Sequence, residues 1–175
     1  LRTQWPEVIR RDRNHPCILM WGLAHNIENE TQEGRWFLEQ LVKTARALDN
    51  RPVYFTVGGA ADKDMCADLV DAVLLVQWAS APGHLDTMQE ELEQWSRRVP
   101  DKPLLAMFPG TPALRGATLR WGGHWSEDRQ ALICQQYLKR FAAHERPAGL
   151  IIGTLCDYRD PGNVAGPVPF MRLTG

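Results

Sequence analysis

His25 and Asn26 stand at the end of an apolar run, Cys17 to Ala24, and Cys156 and Asp157 stand at the end of another, Gly149 to Leu155. An imidazole beside a thiol makes a nucleophile with its base, and an imidazole beside a carboxylate can serve a hydrolytic reaction. His25 with Cys156 or Asp157 is therefore the first chemistry these residue types suggest. Adjacent residues of an extended strand face opposite ways, which separates Cys156 from Asp157 and reads Cys156 as a small buried residue. His25, Glu28, His124 and Asp157 carry metal-ligating atoms, but no short-range pair such as His-x-x-x-His accompanies them, and no metal is expected. His15 reads as a hydrogen-bonding turn residue, and His84 and His144 as helix-end residues. Seven tryptophans are many for this length. An indole face buries large area while its N–H stays available, so tryptophan serves ligand sites as well as cores.

These groups need a scaffold, and the chain spells one out in alternating segments. Residues Trp5 to Arg13 read as the last turns of a helix, stopped by Asn14-His15-Pro16, since proline lacks an N–H and biases its predecessor toward extended geometry. The run from Cys17 to Ala24 lacks strict alternation, which suits a strand buried on both faces of a parallel sheet. A polar linker over Ile27 to Gln32 leads to a helix from Glu33 to Asp49, with Trp36, Phe37, Leu41, Ala45 and Leu48 at helical spacing. Further strands are predicted over Val53 to Val57, Ala72 to Trp78, Leu104 to Phe108 and Gly149 to Leu155, with a short helix or turn within Ala60 to Asp71. Helices are predicted over His84 to Arg98 and from the cap Ser126 to about His144, where Glu127 and Asp128 suit the helix dipole. The long loop from Pro109 to Trp125 is rich in Gly and Trp, and loops of this length are often functional.

Such alternation implies an α/β fold with a parallel sheet and right-handed crossovers. Two architectures are open at this point: a doubly wound sheet, or part of an eight-stranded barrel. No Gly-x-Gly-x-x-Gly and no Gly-Lys-Thr loop follows any strand, so nucleotide binding loses its main support and no cofactor is expected. A chain of 175 residues with 44% hydrophobic content buries one sizeable core, and a single domain over 1–175 is expected. Net charge is −1 with both signs interspersed, which argues against a nucleic-acid partner. No apolar run is long enough to span a bilayer, and Leu1-Arg2-Thr3-Gln4-Trp5-Pro6 lacks a signal-peptide shape, so a soluble, cytoplasmic protein without a membrane partner is expected. Cys17, Cys66, Cys134 and Cys156 sit singly and read as small buried thiols.

Arg11-Asp12-Arg13-Asn14-His15-Pro16, followed by the apolar run through Met20-Trp21, resembles the fourth strand of the catalytic barrel of glycoside hydrolase family 2, the beta-galactosidase and beta-glucuronidase group. Arg51-Pro52-Val53 resembles that family's fifth strand, Asp71-Ala72-Val73 its sixth and Lys102-Pro103-Leu104-Leu105 its seventh. Trp125 to Tyr137 resembles the helix after the seventh strand, and Asp157-Tyr158-Arg159 the end of the eighth. The resemblance implies a partial (β/α)8 TIM barrel, about five parallel strands alternating with helices, equivalent to the second half of the family's barrel.

Retaining glycosidases use two carboxylates about 5 Å apart, one as acid/base and one as nucleophile. The family's acid/base is a Glu following an Asn directly after the fourth strand; read without gaps, those positions are His25 for the Asn and Asn26 for the Glu. An amide cannot shuttle a proton. Glu28 and Glu30 lie nearby, and Asn29-Glu30 repeats the pair after a slip of four residues, which makes Glu28 and Glu30 the candidate acid/base residues. The nucleophile position falls on Phe108, with Gly110 in register, and no carboxylate lies between Asp101 and Glu127. Gly153 stands where the family carries the tryptophan that floors the sugar pocket.

The resemblance puts Trp78 at the end of the sixth strand and Trp121, His124 and Trp125 in the loop after the seventh, on the active-site face. With His25, Asn26, Phe108 and Asp157 they form the expected binding set for a carbohydrate or a small aromatic ligand. The function expected from all this is a family 2-like barrel fragment without retaining glycosidase activity, acting as a ligand-binding or assembly module or in a repurposed activity. The alternatives are a working glycosidase using Glu28 or Glu30, and a hydrolase at His25 and Asp157. Five strands leave two open edges, so association with a second copy, or membership of a longer chain, is expected.

Overall fold

The sequence alternates apolar five-residue runs with amphipathic stretches, and the computed structural model turns each run into a strand of one sheet. The structure describes residues 4–57, 60–77, 84–118, 123, 125–153, 156–159 and 171–172. In chain order the elements are α1 (Gln4–Asp12), β1 (Trp21–His25), α2 (Gln32–Arg46), β2 (Val53–Val57), two 3-10 turns (Ala61–Lys63 and Ala67–Leu69), β3 (Ala72–Val76), α3 (His84–Arg98), β4 (Leu104–Phe108), α4 (Glu127–Ala142) and β5 (Pro147–Ile152). A short antiparallel pair, β6 (Tyr158–Arg159) and β7 (Met171–Arg172), follows.

The parallel strands lie in the order β1-β2-β3-β4-β5, the order of the chain. That order decides between the two architectures. A doubly wound sheet reverses direction at a switch point, whereas here every crossover steps the same way, as in a (β/α) barrel. Register is fixed by pairs such as Tyr54 with Ala72 and Phe55 with Val73. Between β1 and β2 the register shifts between Gly22 and Ala24. A Cβ at Gly22 would meet the end of the Tyr54 ring at 2.6 Å, so a larger residue there would displace that ring.

Two compact units make up the chain. The first is Leu1–Leu75 with Glu93–Leu105, and the second is Val76–Leu92 with Ala106–Gly175. In the first, α1 packs on α2 and α2 on β1, and Ile9, Leu38, Leu41 and Ala45 of the helices are buried, as are Leu23 and Phe55 of the strands. Truncating a buried Leu such as Leu38 to Ala costs about 2–5 kcal/mol. The second unit encloses Leu85, Met88, Phe108, Ile133 and Tyr137.

Local chemistry sets the boundaries. Thr31 caps α2, its hydroxyl accepting from the Gly34 N–H at 3.0 Å and donating to the Glu28 carbonyl at 2.9 Å. Ser126 caps α4 by accepting from the Arg129 N–H at 3.2 Å. Both caps satisfy an N–H that a helix start leaves open. The sequence places β1 too early: Cys17 closes a turn in which the Ile18 N–H donates to His15 O at 3.3 Å, and Ile18 to Met20 run on as irregular chain before the strand begins at Trp21. Arg51 holds that turn, donating to Arg13 O at 2.7 Å and to His15 O at 3.2 Å. Leu19, an apolar residue of the expected strand, is 77% exposed as a result. On α2 the buried stripe is Leu38, Leu41, Val42 and Ala45, while Trp36 faces outward at 53% exposure.

Candidate functional site

The C-terminal end of β1 carries four of the candidate residues in one short loop. His25 closes the strand, exposed, and pairs in register with Thr56 of β2. Asn26 adopts φ 51°, the left-handed conformation that Asn tolerates better than most residues. The Asn29 N–H donates to Ile27 O at 2.8 Å and the Thr31 N–H to Glu28 O at 3.0 Å, so the chain winds tightly into α2. Gly34 permits this winding, because a Cβ there would lie 2.1 Å from the Glu28 carbonyl oxygen.

Asn29 and Glu30, adjacent in sequence, part company in space. Asn29 is buried, donating through Nδ2 to Asp64 Oδ1 at 2.8 Å and accepting at its carbonyl from the Met65 N–H at 2.8 Å. Glu30 is exposed, and its Oε1 accepts from the Ala60 N–H at 3.2 Å. Glu28 is also exposed. Nothing in the spacing of residues 29 and 64 signals their contact; the residue types alone, a buried amide facing a buried carboxylate, explain it once the fold brings them together.

In the second unit, β4 ends in Phe108, which is 1% exposed and stacked on the Tyr137 ring at a centroid distance of 4.5 Å. Tyr137 Oη donates to Gln77 Oε1 at 2.6 Å, and Gln77 Nε2 donates to Met88 O at 2.9 Å. Burial pushes the Tyr137 hydroxyl well above its ordinary pKa, with the Glu91 charge adding to the shift, so it stays a neutral donor. Gly153 lies beside the strand end, its N–H donating to Phe108 O at 2.9 Å. The described part of the long loop is knit to α4: Leu114 N–H donates to Trp125 O at 2.8 Å, Glu127 N–H to Ala117 O at 2.9 Å and Gln130 Nε2 to Thr111 O at 2.9 Å. Trp125 is 37% exposed on it.

Thus His25, Asn26, Glu28 and Glu30 gather in the first unit, and Phe108 and Asp157 belong to the second, with Asp157 exposed. Trp78, Trp121 and His124 lie outside the described residues. The reading of all four cysteines as buried is corrected. Cys66 is buried and Cys134 half-buried, but Cys17 and Cys156 are exposed because each falls beyond the end of its strand. Burial pushes the Cys66 thiol up to about 11 and raises that of Cys134, which makes both poor nucleophiles. Among the described residues no three His, Cys, Asp or Glu side chains converge on a metal position. No helix among them is long and apolar enough to cross a membrane.

A sheet of parallel strands in chain order, each preceded or followed by a helix, defines a segment of a (β/α) barrel with its loops at the strand ends. The family model "Glycosyl hydrolases family 2, TIM barrel domain" matches residues 3–160. The chain belongs to that family. It is 29% identical to the beta-glucuronidase of Rattus norvegicus over 157 residues, covering 85% of this chain and 24% of that protein. It is 31% identical to the beta-glucuronidase of Streptococcus agalactiae serotype V over 135 residues, covering 71% of this chain and 22% of that protein. The chain therefore spans about a quarter of the length of these relatives. Among solved structures, a Ruminococcus gnavus beta-glucuronidase superposes with TM-score 0.86 at 20% identity, over 97% of this chain and 30% of that one. A b-glucuronidase from Ruminococcus gnavus in complex with D-glucuronic acid gives TM-score 0.85 at 20% identity.

Proposed function

We propose that this chain is a family 2 barrel segment that binds a carbohydrate at the C-terminal ends of its strands and does not carry out retaining glycoside hydrolysis. The observation that carries the reading is the end of β4. The family resemblance puts the nucleophile of a retaining mechanism at Phe108; that ring is enclosed against Tyr137, and no carboxylate lies between Asp101 and Glu127. His25, Asn26, Trp78, Trp121, His124 and Asp157 are the proposed ligand contacts. A uronic acid is the proposed ligand class, since a related structure holds D-glucuronic acid. Incubation with aryl β-glucuronides and β-galactosides should give no release of phenol, while titration with glucuronic acid should quench tryptophan fluorescence.

A working glycosidase is the second reading, favoured by the beta-glucuronidase relatives and by the exposed carboxylates of Glu28 and Glu30. Turnover of an aryl glucuronide that Glu30→Gln or Glu28→Gln abolishes would replace the first reading with this one. Hydrolysis of esters or phosphoesters lost in His25→Ala would instead support a centre at His25 and Asp157. We also propose that β5 is covered by further protein, a second copy of the chain or additional barrel strands. The support is that neighbouring Ile151 and Ile152, 42% and 54% exposed, face opposite sides of an edge strand.

A further inference from the structure

We infer that residues 64–71, the segment between the first 3-10 turn and β3, form a polar hub that positions the loop carrying Glu28 and Glu30, with Asp64 as the positioning residue. This rests on the reading that the loop after β1 is part of the site. Side chains from three other parts of the first unit converge on the segment. From α2, Arg35 donates to both carboxylate oxygens of Asp68, at 2.6 and 2.7 Å, and to the Met65 carbonyl, while Arg46 donates to Asp71 at 3.0 Å. From the end of α3, Arg98 donates to Asp64 O at 2.9 Å and pairs with Asp64 Oδ2 at 3.3 Å. Lys102, just before β4, donates to the carbonyls of Ala67, Asp68 and Val70 at 2.7, 3.1 and 2.6 Å.

The fourth arrival is Asn29. It is the one buried residue among 26–31, and its amide ends on Asp64 Oδ1. The Asp64 side chain is 0% exposed, so its charge is tolerable only while donors surround it: Asn29 Nδ2, the Ala67 N–H at 2.9 Å and Arg98. That requirement fixes Asn29, and Asn29 fixes its two neighbours, whose carboxylates project outward. The placement of Glu28 and Glu30 is thereby set by Arg98, a residue about seventy positions away in the chain and outside the loop.

Amide hydrogen exchange on the full chain tests this without any ligand, so failure of sugar binding leaves the outcome readable. In Arg98→Met the amides of Asn29, Thr31 and Met65 should exchange about tenfold faster, while those of β2 keep their protection. Arg98→Lys, which can still donate to Asp64, should restore most of the protection. Unchanged exchange in Arg98→Met, or a loss spread evenly over β1 to β3, would overturn the inference. If Arg98→Met does not fold, Arg98→Gln carries the same comparison.

Discussion

Tyr137 illustrates how much one side chain can decide. Its ring covers Phe108 and its hydroxyl supplies Gln77 Oε1, tying α4 to the ends of β4 and β3 within the second unit. Tyr137→Phe keeps the ring and removes the donor, leaving a buried amide oxygen short of a partner. We expect a loss of about 1–3 kcal/mol in urea unfolding, against about 3–5 kcal/mol for Phe108→Ala, which also opens a cavity. The thiols separate by environment: iodoacetamide near neutral pH should label Cys17 and Cys156 in the native protein, and Cys66 only in denaturant, as mass spectrometry would read. The carboxyls of Asp68 and Asp49 titrate below the ordinary carboxylate range, Asp68 chiefly through its hydrogen bonds from Arg35 and Asp49 through the Arg51 N–H. Because the unfolded chain takes up these protons first, their stabilisation is complete above the ordinary carboxylate pKa of about 4 and is lost as pH falls through the lower folded values. The urea midpoint should therefore drop on acidification, and drop less in Arg35→Met. An equal drop in that variant would remove Arg35 as the cause.

At the scale of elements, periodicity located β2, β4 and α3 with the bounds the structure gives, because a short apolar run and an amphipathic stretch each carry their own period. It misplaced the start of β1, because the Arg51 guanidinium captures the turn at Arg13 and His15 from 36 or more residues away. Arg51→Met should release that turn and lower the melting temperature, with the loss confined in hydrogen exchange to α1 and the start of β1. The cap of α4 was legible in Ser126, whereas the Thr31 cap and the need for Gly34 were not: the sequence reading leaves Thr31 in a polar linker, and the clash Gly34 avoids is with the Glu28 carbonyl of a loop wound back over the helix. Gly34→Ala usually stabilises a helix; here the crowding at 2.1 Å reverses the sign, and we expect a net loss of about 1–3 kcal/mol in denaturant unfolding. Within the candidate site the sequence brought His25, Asn26, Glu28 and Glu30 into one loop. That Asn29 turns inward to Asp64 while Glu30 turns outward to the Ala60 N–H could be decided only by which backbone groups the neighbouring connection presents.

For the molecule as a whole, strand order matters more than any single contact. Chain order across the sheet leaves β1 and β5 as its edges, and β5 is the one with apolar residues open on both faces. If copies of the chain associate there, light scattering should report a mass about twice the 19.9 kDa of one chain, and Ile152→Lys should return it to the monomer. The substitution falls on a residue 54% exposed, so it should change the fold's stability by no more than about 0.5 kcal/mol. A clean monomer for the unaltered chain would end the self-association proposal.

The sequence by itself determined the α/β alternation, the family resemblance, the Ser126 cap and the absence of a carboxylate between Asp101 and Glu127. These are properties of residue type and local spacing, and such properties survive without a fold. Only the tertiary structure decided that the sheet winds one way, that Phe108 closes under Tyr137, and that the buried pair Asn29 and Asp64 is met by the exposed Arg98. Each of these joins groups tens of residues apart whose pairing is set by desolvation: a buried ring or charge accepts whichever neighbours the packed chain brings within reach.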